Sequence, residues 1–579
     1  MSCTIVRRQF HAPDKRPQWL RQLALHPVLE NIYLNRGVES SESLDCSATN
    51  LANYAKMKGI DTAIDILIDA LTTQSKILIV GDFDADGATS TALCLLALTE
   101  MGAKHVDHLV PNRFEYGYGL TPPLVDIAAE RGAELIITVD NGISCIAGVA
   151  HAQSLGIKVI VTDHHLPGQQ LPPANAIVNP NQADCGFPSK MLAGVGVAFY
   201  VLLALRAELQ RRDWFANQQI PLPNLANYLD LVAVGTVADV VPLDQNNRVL
   251  VHQGLQRIRA GRCRPGLTAL IDVAGREAKS LTSTDLGFVI GPRLNAAGRL
   301  DDMSLGIACL LAGDDSSART LAGELDRLNH ERKSIESSMQ IEAQAAVESL
   351  QFNDAQLPLG LVVYEESFHA GVIGIVAGRL KDKFARPAIV FAEESDDTLK
   401  GSARSISGVH VRDILEQIHT QSPTLILKFG GHAMAAGLSI RKQDLALFTS
   451  AFAEALKPSQ GEILQTGVVL SDGELSDEYL SIDFAKLLQY QSPWGQGFEE
   501  PIFDGTFTLV NQRIIGEKHL KLVLETPNGN HVDAIAFNVD TAIWPNLSAK
   551  LAKIAYKLSV NTFRGKSSVQ LMVEALQPC

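Results

Sequence analysis

Clustered cysteines and long apolar runs are both missing from this 579-residue sequence, and each absence excludes a class of protein. The eight cysteines are scattered without a C-x-x-C pair, which argues against a disulfide framework or a structural zinc site. No run of about 18 uncharged apolar residues is present that could span a membrane. The basic start, MSCTIVRRQFHAPDKRPQWL, lacks the apolar core of a secretory signal. We therefore expect a soluble, cytoplasmic protein that does not contact a membrane.

Charged residues are also few, at 20% of the chain, whereas 46% of residues are hydrophobic. This composition favours folded domains over disorder, and the length suggests about three or four of them. The net charge of −14 argues against general binding to nucleic acid, but three segments are locally basic: 248–299, 400–442 and 511–566. Such segments permit a polyanion to bind at defined surfaces, although they are equally typical of ordinary solvated faces.

The pattern of apolar residues predicts five regions. Residues 1–70 suggest an N-terminal adaptor of helices and loops, and 71–313 alternate short apolar strands with helices, which is typical of a parallel, doubly wound α/β lobe. Polar residues 314–350 carry apolar side chains at helical spacing and predict one long connecting helix. Residues 351–460 predict a second α/β lobe, and 461–579, with strands and turns, predict an OB-like β-barrel that binds nucleic acid.

Acidic and histidine residues follow three apolar strands of the first lobe. The strands lie in KILIVGDFDADG, AELIITVDNG and KVIVTDHH, and the residues after them are Asp82, Asp84, Asp86, Asp140, Asp163, His164 and His165. In open α/β sheets, ligands bind at the carboxyl ends of the strands. A single aspartate there is often only a helix N-cap, but seven such groups in one cleft would repel one another. Divalent cations are the natural partners of this cluster.

Further polar segments lie outside the three strand ends. Asp239 ends the apolar run NYLDLVAVGTVAD, and GPRLNAAGRL carries Arg293, Asn295 and Arg299. The second lobe contains two more candidates, GSARSISG with Ser402 and Arg404, and FGGHAMAAG with Gly431 and His432. Glycines around a histidine allow a ligand to approach the backbone closely, but they also suit a simple tight turn.

These segments together resemble the motifs of the DHH phosphoesterase superfamily. DFDADGATS, VDNGIS, TDHH and GTVADVVPL resemble its four motifs in order, and GGHAMAAG resembles the signature of the DHH-associated C-terminal subdomain. PNRFEYGYG, GPRLNAAGRL, SPWGQGFEEPIF and EKHLKL resemble the bacterial single-strand-specific exonucleases of the superfamily. The resemblance covers most of the chain. It implies two-metal-ion hydrolysis of phosphodiester bonds in single-stranded DNA, in the 5′→3′ direction, during DNA repair and recombination.

The resemblance also implies roles for individual residues. Two divalent cations, Mn²⁺ or Mg²⁺, would be held by Asp82, Asp84, Asp86, Asp140, His164 and Asp239, with Asp140 as the bridge between them. His165 would contact the scissile phosphate, and Asp163 would orient the metal-site residues. The residues implied in DNA binding are Arg113, Arg293, Asn295, Arg299, Ser402, Arg404, Gly431 and His432. We expect Arg299, Ser402 and Arg404 to bind the 5′-terminal phosphate, and a single-strand-binding protein and a recombination helicase to be partners.

Three alternatives share part of the pattern. A DHH-family phosphodiesterase for small molecules or short oligonucleotides has the same metal motifs, but it lacks the third β domain and the basic segment 248–299. A non-catalytic DHH-fold scaffold that binds DNA would have lost metal ligands, whereas here the full set is present. A HAD-type phosphatase would explain the D-x-D motif alone, but that class of enzyme has no counterpart of the downstream DHH motif.

Overall fold

A computed structural model describes residues 4–111, 118–349, 358–464, 467–563 and 565–579. The chain divides into two compact units. The larger unit combines Arg7–Asn329 with Leu470–Cys579, and the smaller one combines Met1–Val6 with His330–Val469. Within the part of the chain that is described, no helix has the length and apolar character needed to cross a membrane.

The N-terminal region and the first α/β lobe alternate helices and strands. Their elements are β1 (Thr4–Arg7), α1 (Gln18–Gln22), α2 (Pro27–Asn35), α3 (Ile60–Thr73), β2 (Ile77–Gly81), α4 (Ala85–Glu100), β3 (Val106–Leu109), α5 (Pro122–Glu130), β4 (Leu135–Val139), α6 (Ile146–Ser154), β5 (Lys158–Thr162), β6 (Ala176–Val178) and α7 (Gly194–Arg211). The five strands β2–β6 form a wholly parallel sheet in the order β3-β2-β4-β5-β6. Every residue of β2 and β4 is buried, because helices cover both faces of such a sheet. The predicted parallel α/β lobe is confirmed.

A helical region completes this lobe. It contains α8 (Trp214–Asn217), α9 (Leu229–Ala238), α10 (Gln245–Arg259), α11 (Pro265–Val273), α12 (Ser283–Asp285), α13 (Gly291–Leu300) and α14 (Ser304–Leu311). The apolar run before Asp239 is therefore the helix α9, so this aspartate follows a helix, whereas Asp82, Asp140 and Asp163 follow strands. The next helix, α15 (Asp315–Ser349), confirms the predicted long connection, and the division between the two units falls within it.

The second lobe has a mixed sheet. Its elements are β7 (Leu361–Tyr364), α16 (Ile373–Phe384), β8 (Ala388–Ser395), β9 (Thr398–Arg404), α17 (Val411–Gln421), β10 (Lys428–Gly431), β11 (Ala435–Arg441), α18 (Leu445–Ala455), α19 (Gln460–Leu464) and β12 (Val468–Ser471). The strand order is β10-β11-β9-β8-β7, and only β7 and β8 are parallel. The reason is that β8–β9 and β10–β11 are joined by short turns, which permit only antiparallel pairing. Strand β12 pairs with β1 in a separate two-stranded sheet.

The C-terminal region forms the predicted OB-like barrel. Helix α20 (Ile482–Gln491) precedes β13 (Phe503–Ile515), β14 (His519–Glu525), β15 (His531–Ala536), β16 (Leu551–Phe563) and β17 (Lys566–Pro578). The strands close in the order β13-β14-β15-β17-β16. Three of them have 13 residues, which is longer than most strands of globular proteins. Irregular pairing at Leu509–Asn511 and at Ala555–Tyr556 lets these long strands bend around the barrel.

Candidate metal centre

The first acidic group lies where β2 joins α4. Asp82 directly follows β2, and Asp84 is the N-cap of α4. The Asp84 carboxylate accepts hydrogen bonds from the backbone N–H groups of Asp86 and Gly87, both at 3.0 Å. Asp86 lies in the first turn of α4, where it accepts hydrogen bonds from the backbone N–H groups of Gly194 (2.6 Å) and Val195 (2.9 Å). Backbone groups at the starts of two helices thus hold these carboxylates in place.

Asp140 leaves β4 in a left-handed conformation, with φ = +62°. Aspartate and asparagine tolerate this region better than other residues with a Cβ atom. The start of α7 packs directly against it, because a Cβ added to Gly194 would lie 2.5 Å from the Asp140 Cβ. A side chain at position 194 would therefore displace Asp140.

The ligand atoms of seven residues form three overlapping groups, each within 4.8 Å. The groups are Asp82/Asp84/Asp140, Asp86/His164/Asp239 and Asp140/His164/His165. All six predicted metal ligands are therefore brought together, with His165 beside them. Asp140 and His164 each belong to two groups, which suits ligands placed between two cations.

Three buried atoms of this cluster approach one another without hydrogen bonding. The His164 Nε2 lies 3.1 Å from the Asp140 Oδ1 and 3.4 Å from the Asp239 Oδ2. None of these three atoms has a hydrogen-bond partner among the described residues. Buried polar atoms left unpaired are costly, and a cation would pair all three. Carboxylate oxygens suit Mg²⁺ and Mn²⁺, and the imidazole nitrogen favours Mn²⁺.

The pKa values reflect this crowding. Burial and the neighbouring carboxylates raise the pKa of Asp140 and of Asp239 well above the usual aspartate range. The same causes raise the pKa of Asp86 to about 7. Burial lowers the pKa of His164 to about 4, so its imidazole is neutral at physiological pH and can donate a lone pair to a metal.

Asp163 holds the segment that carries the two histidines. Its carboxylate accepts hydrogen bonds from the backbone N–H groups of Ile143, His164 and His165. Its Oδ1 also lies 2.7 Å from the His165 Nδ1. Burial lowers the pKa of His165, but the hydrogen bond to Asp163 and the negative charges of Asp163, Asp82 and Asp84 together outweigh burial and raise that pKa to about 9. His165 is therefore a cation beside the carboxylates at neutral pH.

The predicted DNA-binding residues of the larger unit have different environments. The Asn295 Oδ1 accepts a hydrogen bond from the Ala85 N–H at 2.7 Å, which places it at the start of α4 beside the carboxylates. Arg299 is half-buried in the last turn of α13. Arg293 is buried and donates to Asp326 (2.9 Å) and to the Val289 carbonyl (2.7 Å), so its guanidinium connects helices. Arg113 lies outside the described residues.

The predicted residues of the smaller unit lie on neighbouring strands. The Arg404 guanidinium donates to the Ser402 Oγ (3.1 Å) and to the Ala403 carbonyl (2.8 Å). A Cβ on Gly374 would lie 2.9 Å from the Arg404 Nη2 and 3.0 Å from the Ser402 Oγ, so the first turn of α16 packs against both. Ser402 and Arg404 pair in register with Gly437 and Ala435 of β11.

Gly431 is the last residue of β10, and His432 begins the turn that leads to β11. Gly431 has φ = +142°, and a Cβ there would lie 2.4 Å from the Ala435 carbonyl oxygen. The His432 N–H donates to the same oxygen at 2.7 Å. The structure thus brings Ser402, Arg404 and this turn to adjacent strands.

Sequence reasoning did not identify two glycines that shape the metal centre. One is Gly194, beside Asp140, and the other is Gly235 in α9, where a Cβ would lie 2.9 Å from the Asp86 Oδ1. The available signal for Gly235 is that it lies inside an otherwise apolar helix, where alanine would favour the helix more. Gly194 is the first residue of α7 and gives no such signal.

Three domain families match consecutive parts of the chain. The DHH family, N-terminal domain, matches residues 76–236, the DHHA1 domain matches 359–458, and the RecJ OB domain matches 471–575. The chain is 54% identical to the single-stranded-DNA-specific exonuclease RecJ of Escherichia coli K12 over 555 residues, 96% of each chain. It is 34% identical to that of Bacillus subtilis over 584 residues, 99% of this chain and 71% of the relative.

Solved structures agree with this relationship. The crystal structure of RecJ from Thermus thermophilus in complex with Mn²⁺ has a TM-score of 0.79 and 28% identity, covering 100% of this chain and 80% of that one. The complex of the same protein with Mg²⁺ has a TM-score of 0.74 and 26% identity, covering 100% and 78%. With the motif order, the carboxylate–histidine cluster and the barrel, these similarities lead to one conclusion. The chain belongs to the RecJ family of the DHH superfamily.

Proposed function

We propose that this chain is a metal-dependent exonuclease that hydrolyses phosphodiester bonds of single-stranded DNA. The observation that carries the proposal is the convergence of three unpaired buried atoms, from Asp140, His164 and Asp239, within a cluster of carboxylates. Relatives named single-stranded-DNA-specific exonuclease, at 54% identity over 96% of the chain, support the choice of substrate.

Six residues would hold two cations, Mn²⁺ or Mg²⁺. They would be Asp82, Asp84, Asp86, Asp140, His164 and Asp239, and we assign the bridging role to Asp140, which belongs to two of the ligand groups. When bound, the two cations supply charge neutralisation and an activated water for attack on the phosphorus. The neutral His164 offers a lone pair without adding charge repulsion. The backbone N–H groups of Gly194 and Val195 fix the Asp86 carboxylate, so its geometry does not depend on the metal.

His165 and Asp163 would act together on the substrate phosphate. The imidazolium of His165, which the bond to Asp163 and the nearby carboxylates keep protonated, is a hydrogen-bond donor beside the proposed metal ligands. A positive donor there stabilises the extra negative charge that a phosphodiester gains as it is attacked. Asp163 is then a positioning residue, since it fixes the imidazole and maintains its charge.

The strand end is recognised, in this proposal, by the smaller unit. Arg404 and Ser402 lie against the first turn of α16, and a guanidinium, a hydroxyl and a helix N-terminus all bind phosphate. We assign the 5′-terminal phosphate to this group, which gives the 5′→3′ direction. Gly431 and His432 on the adjacent turn, and Asn295, Arg299 and Arg113 elsewhere, are proposed to contact the same DNA strand. Arg293 is less suited to bind DNA than the other residues, because its guanidinium already forms an ion pair with Asp326.

The cellular setting follows from the substrate. We propose that the protein acts on DNA in the cytoplasm during repair and recombination. As the family resemblance implies, a single-strand-binding protein and a recombination helicase would be its partners.

Digestion of end-labelled DNA tests the proposal. Single strands labelled at either end are incubated with the protein and Mn²⁺, with a blunt duplex of the same sequence as the control. We expect the 5′ label to be released first as mononucleotide, the duplex to resist, and EDTA to stop the reaction. First release of the 3′ label would contradict the direction, and hydrolysis only of dinucleotides would indicate a small-molecule phosphodiesterase.

A further inference from the structure

The backbone after Asp239 is strained. Val240 has φ = +62°, in the left-handed region that a β-branched residue rarely adopts. Val240 is 63% exposed, so burial of this residue does little to offset the strain. Strained residues persist only where the surrounding structure determines their conformation. The conformation of Val240 must therefore be imposed by what holds the residues on either side of it.

On the C-terminal side, the restraint comes from a loop far away in the sequence, Trp494–Phe498. The Leu243 N–H donates to the Gln496 carbonyl at 2.7 Å. A Cβ on Gly495 would lie 2.7 Å from the Leu243 Cδ1, and one on Gly497 would lie 3.3 Å from the Pro242 Cβ. Glycines at these two positions allow the loop to contact the backbone beyond Val240 directly.

The loop is itself well fixed. The rings of Trp494 and Phe498 stack with centroids 5.3 Å apart, and the buried Ser283 hydroxyl donates to the Trp494 carbonyl at 2.6 Å. The Arg248 guanidinium lies 4.2 Å above the Phe498 ring and donates to the Leu243 carbonyl at 2.9 Å. Both backbone polar groups of Leu243 are therefore held by the loop or by a side chain stacked on it.

We propose that the Trp494–Phe498 loop is a positioning element for the metal centre. By fixing Pro242 and Leu243, it holds Val240 in its strained conformation and so directs the Asp239 carboxylate towards His164, 3.4 Å away. This role rests on the proposed function, because it assumes that Asp239 is a metal ligand. It also makes the region matched by the OB domain family part of the catalytic machinery, in addition to any contact it makes with DNA.

Metal binding by full-length variants tests the role without measuring catalysis. Mn²⁺ is titrated into Gly495→Val, Asp239→Asn and the double variant by calorimetry in the absence of DNA. We expect Gly495→Val to weaken Mn²⁺ binding about 10-fold or more, the scale for losing a residue that orients a ligand. The double variant should bind no more weakly than Asp239→Asn alone, because both changes act through one carboxylate.

Two controls separate positioning from general damage. Replacing Leu243 by alanine in the Gly495→Val protein makes room for the new side chain and should restore Mn²⁺ affinity. Gly313→Val, where an added Cβ meets nothing within 4 Å, should bind as the wild type does. Gly495→Ala supplies a milder change if the valine variant does not fold, as judged by thermal unfolding.

The outcomes are distinct. Wild-type Mn²⁺ affinity in folded Gly495→Val and Gly495→Ala, or independent effects in the double variant, would overturn the positioning role. Wild-type affinity in Asp239→Asn would instead contradict the proposed metal centre, and the positioning role with it.

Discussion

The Nε2 atom of His164 lies 3.1 Å from the Oδ1 atom of Asp140, yet the two are not hydrogen-bonded. Burial lowers the pKa of His164 to about 4, so its imidazole is neutral at physiological pH and can offer a nitrogen lone pair. Its Nε2 also lies 3.4 Å from the Asp239 Oδ2, and that oxygen has no hydrogen-bond partner among the described residues. The pair is therefore arranged to bind a third group, and a divalent cation satisfies both atoms.

Asp140→Asn should abolish hydrolysis and leave the fold intact. Asparagine tolerates φ = +62° as well as aspartate does, so the backbone needs no adjustment. We expect hydrolysis to fall at least ~10³-fold, because the carboxylate proposed to bridge the two cations is lost. Binding of single-stranded DNA, measured by fluorescence anisotropy, should persist because the cleft becomes less negative. Asp126→Asn, at an exposed carboxylate, is the matched control. A near-normal rate of hydrolysis in Asp140→Asn would contradict the proposed two-metal site.

The metal-free protein should lose stability as the pH rises from 7 to 8.5. The folded-state pKa is raised to about 7 for Asp86 and about 9 for His165, and well above the usual range for Asp140 and Asp239. In this window the folded chain binds more protons than the unfolded chain, so the free energy of unfolding decreases with pH. His164, with its pKa near 4, is neutral in the folded state and adds little.

Thermal unfolding in EDTA at several pH values measures this effect. Asp140→Asn should flatten the dependence, and Mn²⁺ should raise the unfolding temperature more at pH 8.5 than at pH 7, because fewer protons compete for the ligands. A metal-free wild type that is equally stable at both pH values would show that the carboxylates do not repel one another in the folded state.

Asp163→Asn should move the pH–rate profile to lower pH. Without the carboxylate, the pKa of His165 falls from about 9 towards its ordinary value, so the imidazolium loses its proton near neutrality. We expect activity to decrease more at pH 8 than at pH 6. The variant should also be less stable, since the amide cannot accept all the backbone N–H bonds that Asp163 accepts. In a His165→Gln background, Asp163→Asn should leave the pH–rate profile unchanged. A shift of the profile in that background would show that Asp163 does not act through His165.

Arg404→Lys should reduce discrimination between 5′-phosphorylated and 5′-hydroxyl strands. Lysine keeps the charge but lacks the planar fork that binds two phosphate oxygens at once. We expect the preference for the phosphorylated strand, measured as a ratio of kcat/KM values, to fall about 10-fold. Arg412→Lys, at an exposed arginine in the same unit, is the control. Equal weakening on both strands would mean that Arg404 does not bind the terminal phosphate.

The sequence predicted the parallel sheet and its acidic edge because both are local patterns. Strands β2, β4 and β5 are short apolar runs followed by aspartate. Parallel strands bring their carboxyl ends together whatever the order of pairing. The six proposed metal ligands follow from the same pattern and from the family motifs. The strand directions of the second lobe were less readable, because apolar runs alone do not separate parallel from antiparallel neighbours.

Contacts between distant residues could not be predicted in this way. The ion pair of Arg293 with Asp326 and the packing of Gly194 on Asp140 join separate elements and leave no periodic signal. The same holds for the hydrogen bond from Leu243 to Gln496. A motif such as SPWGQGFEEPIF supports the family resemblance, but the motif alone does not show which residues it contacts. Those contacts depend on the whole fold.

The division of the larger unit between Arg7–Asn329 and Leu470–Cys579 has a consequence for biosynthesis. A ribosome that has just added Leu243 must add about 250 more residues before Gln496 exists, which takes roughly 10–50 s at typical elongation rates. Until then the chain beyond Asp239 lacks the loop that fixes it. The nascent protein thus carries five proposed metal ligands at the ends of its early strands and at α4. The sixth ligand, Asp239, is not yet positioned by the Trp494–Phe498 loop. A nuclease assembled in this order would become active only when its synthesis is nearly complete.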